Sequence, residues 1–158
     1  MAPGAQPRTA VRAAPVPALA DLGLTWQAYP VTAADMARAL YTAYQARDWA
    51  RAETYLHPDA VLDMPATGER LAGREQVLRF QREYPEPWGE LVVLRALGDS
   101  TSAAAEVEIR APGGDVFRMA AVWALRDGLL ASGTEYWVDP GGAPPPGRAA
   151  YPASPAAD

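Results

Sequence analysis

The chain has 158 residues, 49% of them hydrophobic and 21% charged, and a formal net charge of −5. These are the proportions of one soluble globular domain, and the scattered arginines form no footprint for a phosphate backbone. There is no cysteine, a single histidine (His57), and all 14 basic residues are arginine, which excludes disulfides, thiolate metal centres, cysteine nucleophiles, lysine Schiff bases and any site with two histidine ligands.

Residues 1–30 carry Pro3, Pro7, Pro15, Pro17 and Pro30 among alanines and read as an arm, disordered or loosely docked through Leu22, Leu24 and Trp26. No apolar run approaches the ~20 residues of a membrane helix, and the Ala/Pro-rich start lacks the continuous apolar stretch of a secretion signal. A cytoplasmic protein with neither membrane nor nucleic-acid partners is expected. The folded domain is expected over 31–140. Thr32 and Asp35 form a capping box with Asp in place of Glu, and Met36, Ala37, Leu40, Tyr41 and Tyr44 then recur as one apolar stripe on a helix. Asp48 caps a shorter second helix with Trp49, Ala52 and Leu56 on one face, ending near His57-Pro58. Alternation over 59–64 predicts a strand with Ala60, Leu62 and Met64 on one side and Val61 and Asp63 on the other, stopped by Pro65. A loop with Gly68 and Gly73 leads to a third helix over 74–84, with Val77, Phe80, Gln81 and Tyr84 on one face and Pro85 closing it.

Four strands follow, at 88–97, 101–111, 115–125 and 129–137. Gly98-Asp99, Pro112-Gly113-Gly114 and Asp127-Gly128 separate them, each junction short enough for an antiparallel hairpin. Phe117, Met119, Ala121 and Trp123 share a side, as do Ala105, Val107 and Ile109. Glu106, Glu108, Arg110 and Arg118 fall on the opposite side with Val116, Ala120 and Val122, so the greasy face must meet the helices. Helices followed by a run of strands predict an α+β fold, helices on one face of an antiparallel sheet. The segment 141–158 is a Pro/Ala-rich tail.

The segments Leu40-Tyr41-Thr42-Ala43-Tyr44 with Arg47-Asp48-Trp49, Tyr55-Leu56-His57-Pro58-Asp59-Ala60-Val61, Leu71-Ala72-Gly73-Arg74-Glu75 and Thr134-Glu135-Tyr136-Trp137-Val138-Asp139, in this order and spacing, resemble the NTF2-like superfamily, in its SnoaL-like branch. The resemblance covers residues 32–140 or so. It implies a cone-shaped fold, a curved antiparallel sheet packed on three N-terminal helices, with a deep apolar cavity and frequent homodimers through the outer sheet face. Its members include isomerases, cyclases, epoxide hydrolases, dehydratases and plain binding modules, so the fold alone leaves the activity open. The catalytic positions of the steroid isomerases fall here on Met64, Leu40 and Ala121, with Asp63 and Tyr41 one residue from the first two. Apolar side chains at all three would not abstract a proton in that way.

Glu135 is the foremost candidate for chemistry. Alternation through the Asp127-Gly128 hairpin puts Gly133, Glu135 and Trp137 on the inner face, where burial raises a carboxyl's pKa and suits it to general acid or base work near neutrality. The competing reading is a glutamate paired with arginine or turned outward by a bulge. Asp63 is the second candidate, as base or water-holder, against a simple role in capping the next loop. His57, before a proline, is a helix-end cap more readily than a catalyst. Tyr41, Tyr44, Met64, Phe80, Tyr84, Trp88, Met119, Trp123 and Trp137 are candidate lining for a ligand cavity, with small Ala105, Ala121 and Gly133 leaving space, although the same set would serve an ordinary core. No metal site and no cofactor is expected. The expected partners are an apolar small molecule and a second copy of the chain across the outer sheet face. Three functions stay open: small-molecule binding, an isomerase, cyclase or hydrolyase using Glu135, and a dimerisation module without a ligand.

Overall fold

The computed structural model describes residues 31–85, 88–138 and 146–148. The readings of 1–30 as an arm and of 141–158 as a tail fall outside these residues, apart from a short 3-10 turn at Pro146–Arg148.

Helix α1 (Ala33–Gln45) starts where the capping box places it: the Thr32 hydroxyl accepts from the Asp35 N–H, and the Asp35 carboxylate accepts from the Thr32 N–H. A further orphan N–H of the first turn, that of Ala33, donates to the Asp99 carbonyl at 2.9 Å, tying the helix start to a distant hairpin. Its apolar stripe is buried. The helix ends in a Schellman motif, with Asp48 N–H on the Ala43 carbonyl and Arg47 N–H on the Tyr44 carbonyl. Arg47 takes the left-handed position (φ 57°) where glycine is usual. Helix α2 (Trp49–Glu53) is capped by Asp48, and helix α3 (Arg74–Arg82) starts after Gly73.

Strand β1 (Leu56–Met64) begins earlier than alternation alone indicates, so His57 and Pro58 belong to a strand and not to a helix end. Proline is tolerated there because the β1 to β6 register is interrupted between Leu56 and Val61. Strand β2 (Glu69–Ala72), read from sequence as loop, pairs antiparallel with β1. It is short and mostly exposed, so it carries no period-two signal. Strands β3 (Glu90–Gly98), β4 (Ser102–Arg110), β5 (Val116–Arg126) and β6 (Leu129–Val138) form the expected antiparallel ribbon. Asp127 and Gly128, both at positive φ, make the two-residue turn from β5 to β6.

One curved six-stranded sheet results, in the order β2-β1-β6-β5-β4-β3. Strand β1 lies parallel to β6, so the sheet is mixed, closed through a contact distant in sequence. The core lies between α1 and the sheet's inner face, with Leu40, Leu62, Val107, Met119, Trp123 and Leu130 among its members. On the outer face Glu106 and Glu108 pair with Arg95, Arg110 and Arg118 within the chain. The side chain of Arg110, followed by Arg118, holds the Glu108 carboxyl below its usual range.

Candidate active site

Strand register sets the inward side chains of β5 and β6 abreast: Met119 opposite Trp137, Ala121 opposite Glu135, and Trp123 opposite Gly133. Helix α1 covers them, and its Tyr41 reaches both strands. The Tyr41 hydroxyl donates to Glu135 Oε1 at 3.0 Å and accepts the Trp123 indole N–H at 3.0 Å. All three side chains are buried, Glu135 being 1% exposed. Alanine at 121 leaves room beside the carboxyl. Glu135 points inward because the register of β6 against β5 shifts between Ala124 and Leu125. Strict alternation from the Asp127-Gly128 turn would set it opposite Ala120 and turn it outward, so a bulge brings in the carboxyl that the sequence reading brings in by alternation.

Burial pushes the Glu135 carboxyl up to about 7, against the opposing pull of the Tyr41 hydroxyl and the neighbouring Trp137 side chain. Burial likewise drives the Tyr41 and Tyr44 phenols well above their ordinary range, and the charge on Glu135 adds to both. The ion pairs of the described residues all belong to other acids, so no arginine neutralises Glu135. Two polar atoms at this site, Glu135 Oε2 and the Tyr44 hydroxyl, are buried with no hydrogen-bond partner among the described residues. Native proteins leave few such groups, and each calls for an explanation.

Six of the nine candidate lining residues gather here. Tyr44 meets Tyr41 edge-on at 5.9 Å and Trp88 at 6.4 Å between ring centroids, and the Arg47 guanidinium caps Trp88 at 4.1 Å. Met119, Trp123 and Trp137 share the inner face, Trp137 only partly covered. The other three lie elsewhere. Met64 is buried at the end of β1, and Phe80 and Tyr84 form their own edge-to-face pair at 5.4 Å on α3, with Tyr84 44% exposed. On α3 the buried positions are Val77, Leu78 and Gln81: Leu78 takes the place in the core that sequence reading assigns to Phe80 and Tyr84.

Asp63 faces outward, 3.3 Å from Arg70, its cross-strand partner on β2. His57 stands among Asp59, Arg126 and Asp127, accepting the Asp59 N–H at Nδ1. Asp63 sits on the strand next to β6, with Thr134 as its register partner, but on the face opposite to Glu135, and His57 lies near the other end of β1. The space expected above Gly133 is taken by the chain itself, since a Cβ there would lie 2.7 Å from the Trp123 ring. Two open surface depressions are formed by described residues. One, of about 390 Å³, lies over Leu71, Phe80 and Tyr84, and the other, of about 510 Å³, lies beside Asp63, Met64 and Tyr136. Neither touches the Tyr41–Glu135 cluster.

Sequence reading selects Tyr41, Trp123 and Glu135 separately and does not join them. The hairpin at Asp127-Gly128 alone would set Glu135 against Ala120, and the register shift past Ala124 sets it against Ala121, two residues along β5 from Trp123. Of the two alignments open for the isomerases' tyrosine, both Leu40 and Tyr41 turn out buried, and Tyr41 carries the hydroxyl to the carboxyl. Among the described residues, no group of three or more His, Asp or Glu side chains is placed to hold a metal ion, and no helix is long and apolar enough to cross a membrane.

Three helices, the curved mixed sheet and a buried acid beneath α1 define an NTF2-like α+β domain. The profile of the SnoaL-like domain family matches residues 37–133, and the chain belongs to that family. A crystal structure from Kribbella flavida, described provisionally as a ketosteroid isomerase, is similar at 32% identity over 80% of this chain and 91% of its own, with a TM-score of 0.72. An NTF2-like protein of unknown function from Burkholderia xenovorans follows at 24% identity, 76% and 92% coverage and a TM-score of 0.64. An epoxide hydrolase of the LEH-like type from M. tuberculosis shares the fold at 20% identity, 69% and 86% coverage and a TM-score of 0.58. No curated protein matches the sequence.

Proposed function

We propose that the protein binds a small, mostly apolar, ring-containing molecule through the Tyr41–Glu135 cluster, with Glu135 and Tyr44 receiving its polar group. The observation that carries this reading is the pair of orphan atoms, Glu135 Oε2 and the Tyr44 hydroxyl. A buried polar group without a partner costs about 1–3 kcal/mol, and a ligand's polar group would remove that cost. Flat aromatic surface from Tyr41, Tyr44, Trp88, Trp123 and Trp137 surrounds the cluster and suits a ring. The outer sheet face, with Val122, Tyr136 and Val138 exposed, belongs to the same proposal as the contact surface of a homodimer.

The test is thermal unfolding against a panel of apolar ring compounds. A binder present at about 100 times its Kd stabilises the native state by roughly 2.7 kcal/mol. Glu135→Leu and Tyr44→Phe should each reduce the shift. If no compound raises the Tm, the binding reading falls and the ligand-free dimerisation module takes its place.

A second reading is an isomerase, cyclase or hydrolyase acting on an apolar cyclic substrate with Glu135 as acid or base. It is supported by the carboxyl lying at about 7, where proton transfer in both directions is accessible, and by the relative described provisionally as a ketosteroid isomerase. Turnover left undiminished by Glu135→Gln would remove that residue from the mechanism.

A further inference from the structure

Arg47 follows α1 in the left-handed conformation (φ 57°), which glycine adopts freely and arginine adopts at a cost. No ion pair of the described residues includes it. Nearby acids are engaged elsewhere: Asp48 accepts the Arg51 N–H at 3.0 Å, and Glu90 pairs with Arg110 at 3.1 Å. The exposed Arg47 guanidinium is instead laid over the Trp88 ring at 4.1 Å, a weak contact at an exposed site. Backbone strain held without a strong compensating bond points to function.

The neighbours of Arg47 indicate which function. Trp88 is half-buried and meets Tyr44 edge-on at 6.4 Å, and Tyr44 is buried with its hydroxyl unpartnered among the described residues. Aromatic surface therefore runs from an exposed cation to the orphan hydroxyl. Tyr41, Tyr44 and Arg47 follow one another at three-residue steps, which sets Arg47 roughly 9 Å beyond the level of Tyr41 along α1, at ~1.5 Å per residue. A two-ring molecule spans that length.

From this arrangement we infer that the ligand is amphipathic, with a ring body that enters the Tyr41–Glu135 cluster and a carboxylate at its far end that Arg47 holds. Arg47 is the residue that determines specificity for the charged end. Its planar guanidinium presents paired N–H donors matching the two oxygens of a carboxylate, and stacking on Trp88 leaves those in-plane donors available. The inference rests on the binding reading above and adds the anionic end of the molecule to it.

2-Naphthylacetic acid and 2-naphthylacetamide share one body and differ in charge. The acid should bind about tenfold more tightly by calorimetry, and the ratio should shrink as salt rises from about 0.01 to 0.1 M. Arg47→Met keeps a flexible apolar stem and removes the charge, while Arg47→Gly suits the left-handed backbone and removes the whole side chain. In both variants the acid-to-amide ratio should fall to near one, whereas an arginine kept only to stack on Trp88 would leave it unchanged. An amide that binds the parent protein as tightly as the acid, or a ratio that survives in either variant, overturns the inference and leaves the binding reading standing. So does a result in which neither naphthyl probe binds but a compound of the wider panel does. Failure of every compound removes the binding reading and this inference with it.

Discussion

The indole of Trp123 lies flat over Gly133 of the neighbouring strand, its ring atoms 2.7–2.8 Å from where a Cβ at 133 would stand. The two are register partners on β5 and β6, so the glycine is the recess into which the ring fits. From this seat the Trp123 N–H donates to the Tyr41 hydroxyl at 3.0 Å. Gly133→Ala should therefore force the indole off its seat, cost about 1–3 kcal/mol as an overpacked core, and loosen the bond to Tyr41. Urea unfolding with tryptophan fluorescence checks both effects.

The pH profile of stability should carry the signature of Glu135. Its carboxyl ionises near 4.5 in the unfolded chain and near 7 in the fold, so the folded state binds the extra proton between those values. Stability is highest below about 4.5 on this account and falls as pH rises toward 7, by roughly 3 kcal/mol at ~1.4 kcal/mol per pH unit. Glu135→Gln should flatten that segment and make the variant the more stable protein at pH 8. Denaturant midpoints at pH 5, 6, 7 and 8 measure it, and parallel curves for the two proteins would contradict the assignment.

Removing the Tyr41 hydroxyl should hurt in two places. Tyr41→Phe leaves the Trp123 N–H and Glu135 Oε1 buried without partners, at about 1–3 kcal/mol for an unmet group. Because the hydroxyl lowers the carboxyl's pKa, its loss should also move Glu135 further above 7. Infrared titration of the carboxyl stretch reports the second effect independently of the first.

Asp63 offers the contrast. Its partner Arg70 is largely exposed, and an exposed ion pair contributes about 0–1 kcal/mol. Asp63→Asn should change neither ligand-induced thermal shift nor any turnover, while lowering stability by less than about 1 kcal/mol. A large loss of binding in this variant would move the site toward the β1 and β2 edge.

The outer sheet face should control association. Val122, Tyr136 and Val138 are exposed there, while the adjoining acids and arginines already satisfy one another within the chain. Val122→Glu would set an unpaired charge in the middle of the patch. Sedimentation should show a dimer for the parent and a monomer for the variant, and identical masses would remove this face from assembly.

Much of the framework is legible in the sequence because its determinants are local. The capping box at Thr32, the stripe from Met36 to Tyr44, and the turn at Asp127-Gly128 each depend on residues within one or two turns of chain. Period two then carries the parity of Met119 and Trp123 along β5, whereas Glu135 turns inward only through the register shift of β6 against β5. Strand β2 and the parallel pairing of β1 with β6 escape such reading: a four-residue exposed strand has no pattern, and the pairing joins segments some 70 residues apart in sequence.

The sequence by itself determined that Met119, Ala121 and Trp123 share one side of β5 and that Tyr41 and Tyr44 share the apolar stripe of α1, because side-chain direction within one element follows from backbone period. Only the tertiary structure decided which of them touch. Helix α1 had to dock at one depth and rotation for Tyr41 to bridge Trp123 and Glu135 while the hydroxyl of Tyr44 went unpaired. Those distances depend on how α1 packs against β5 and β6, a contact between parts of the chain more than 80 residues apart.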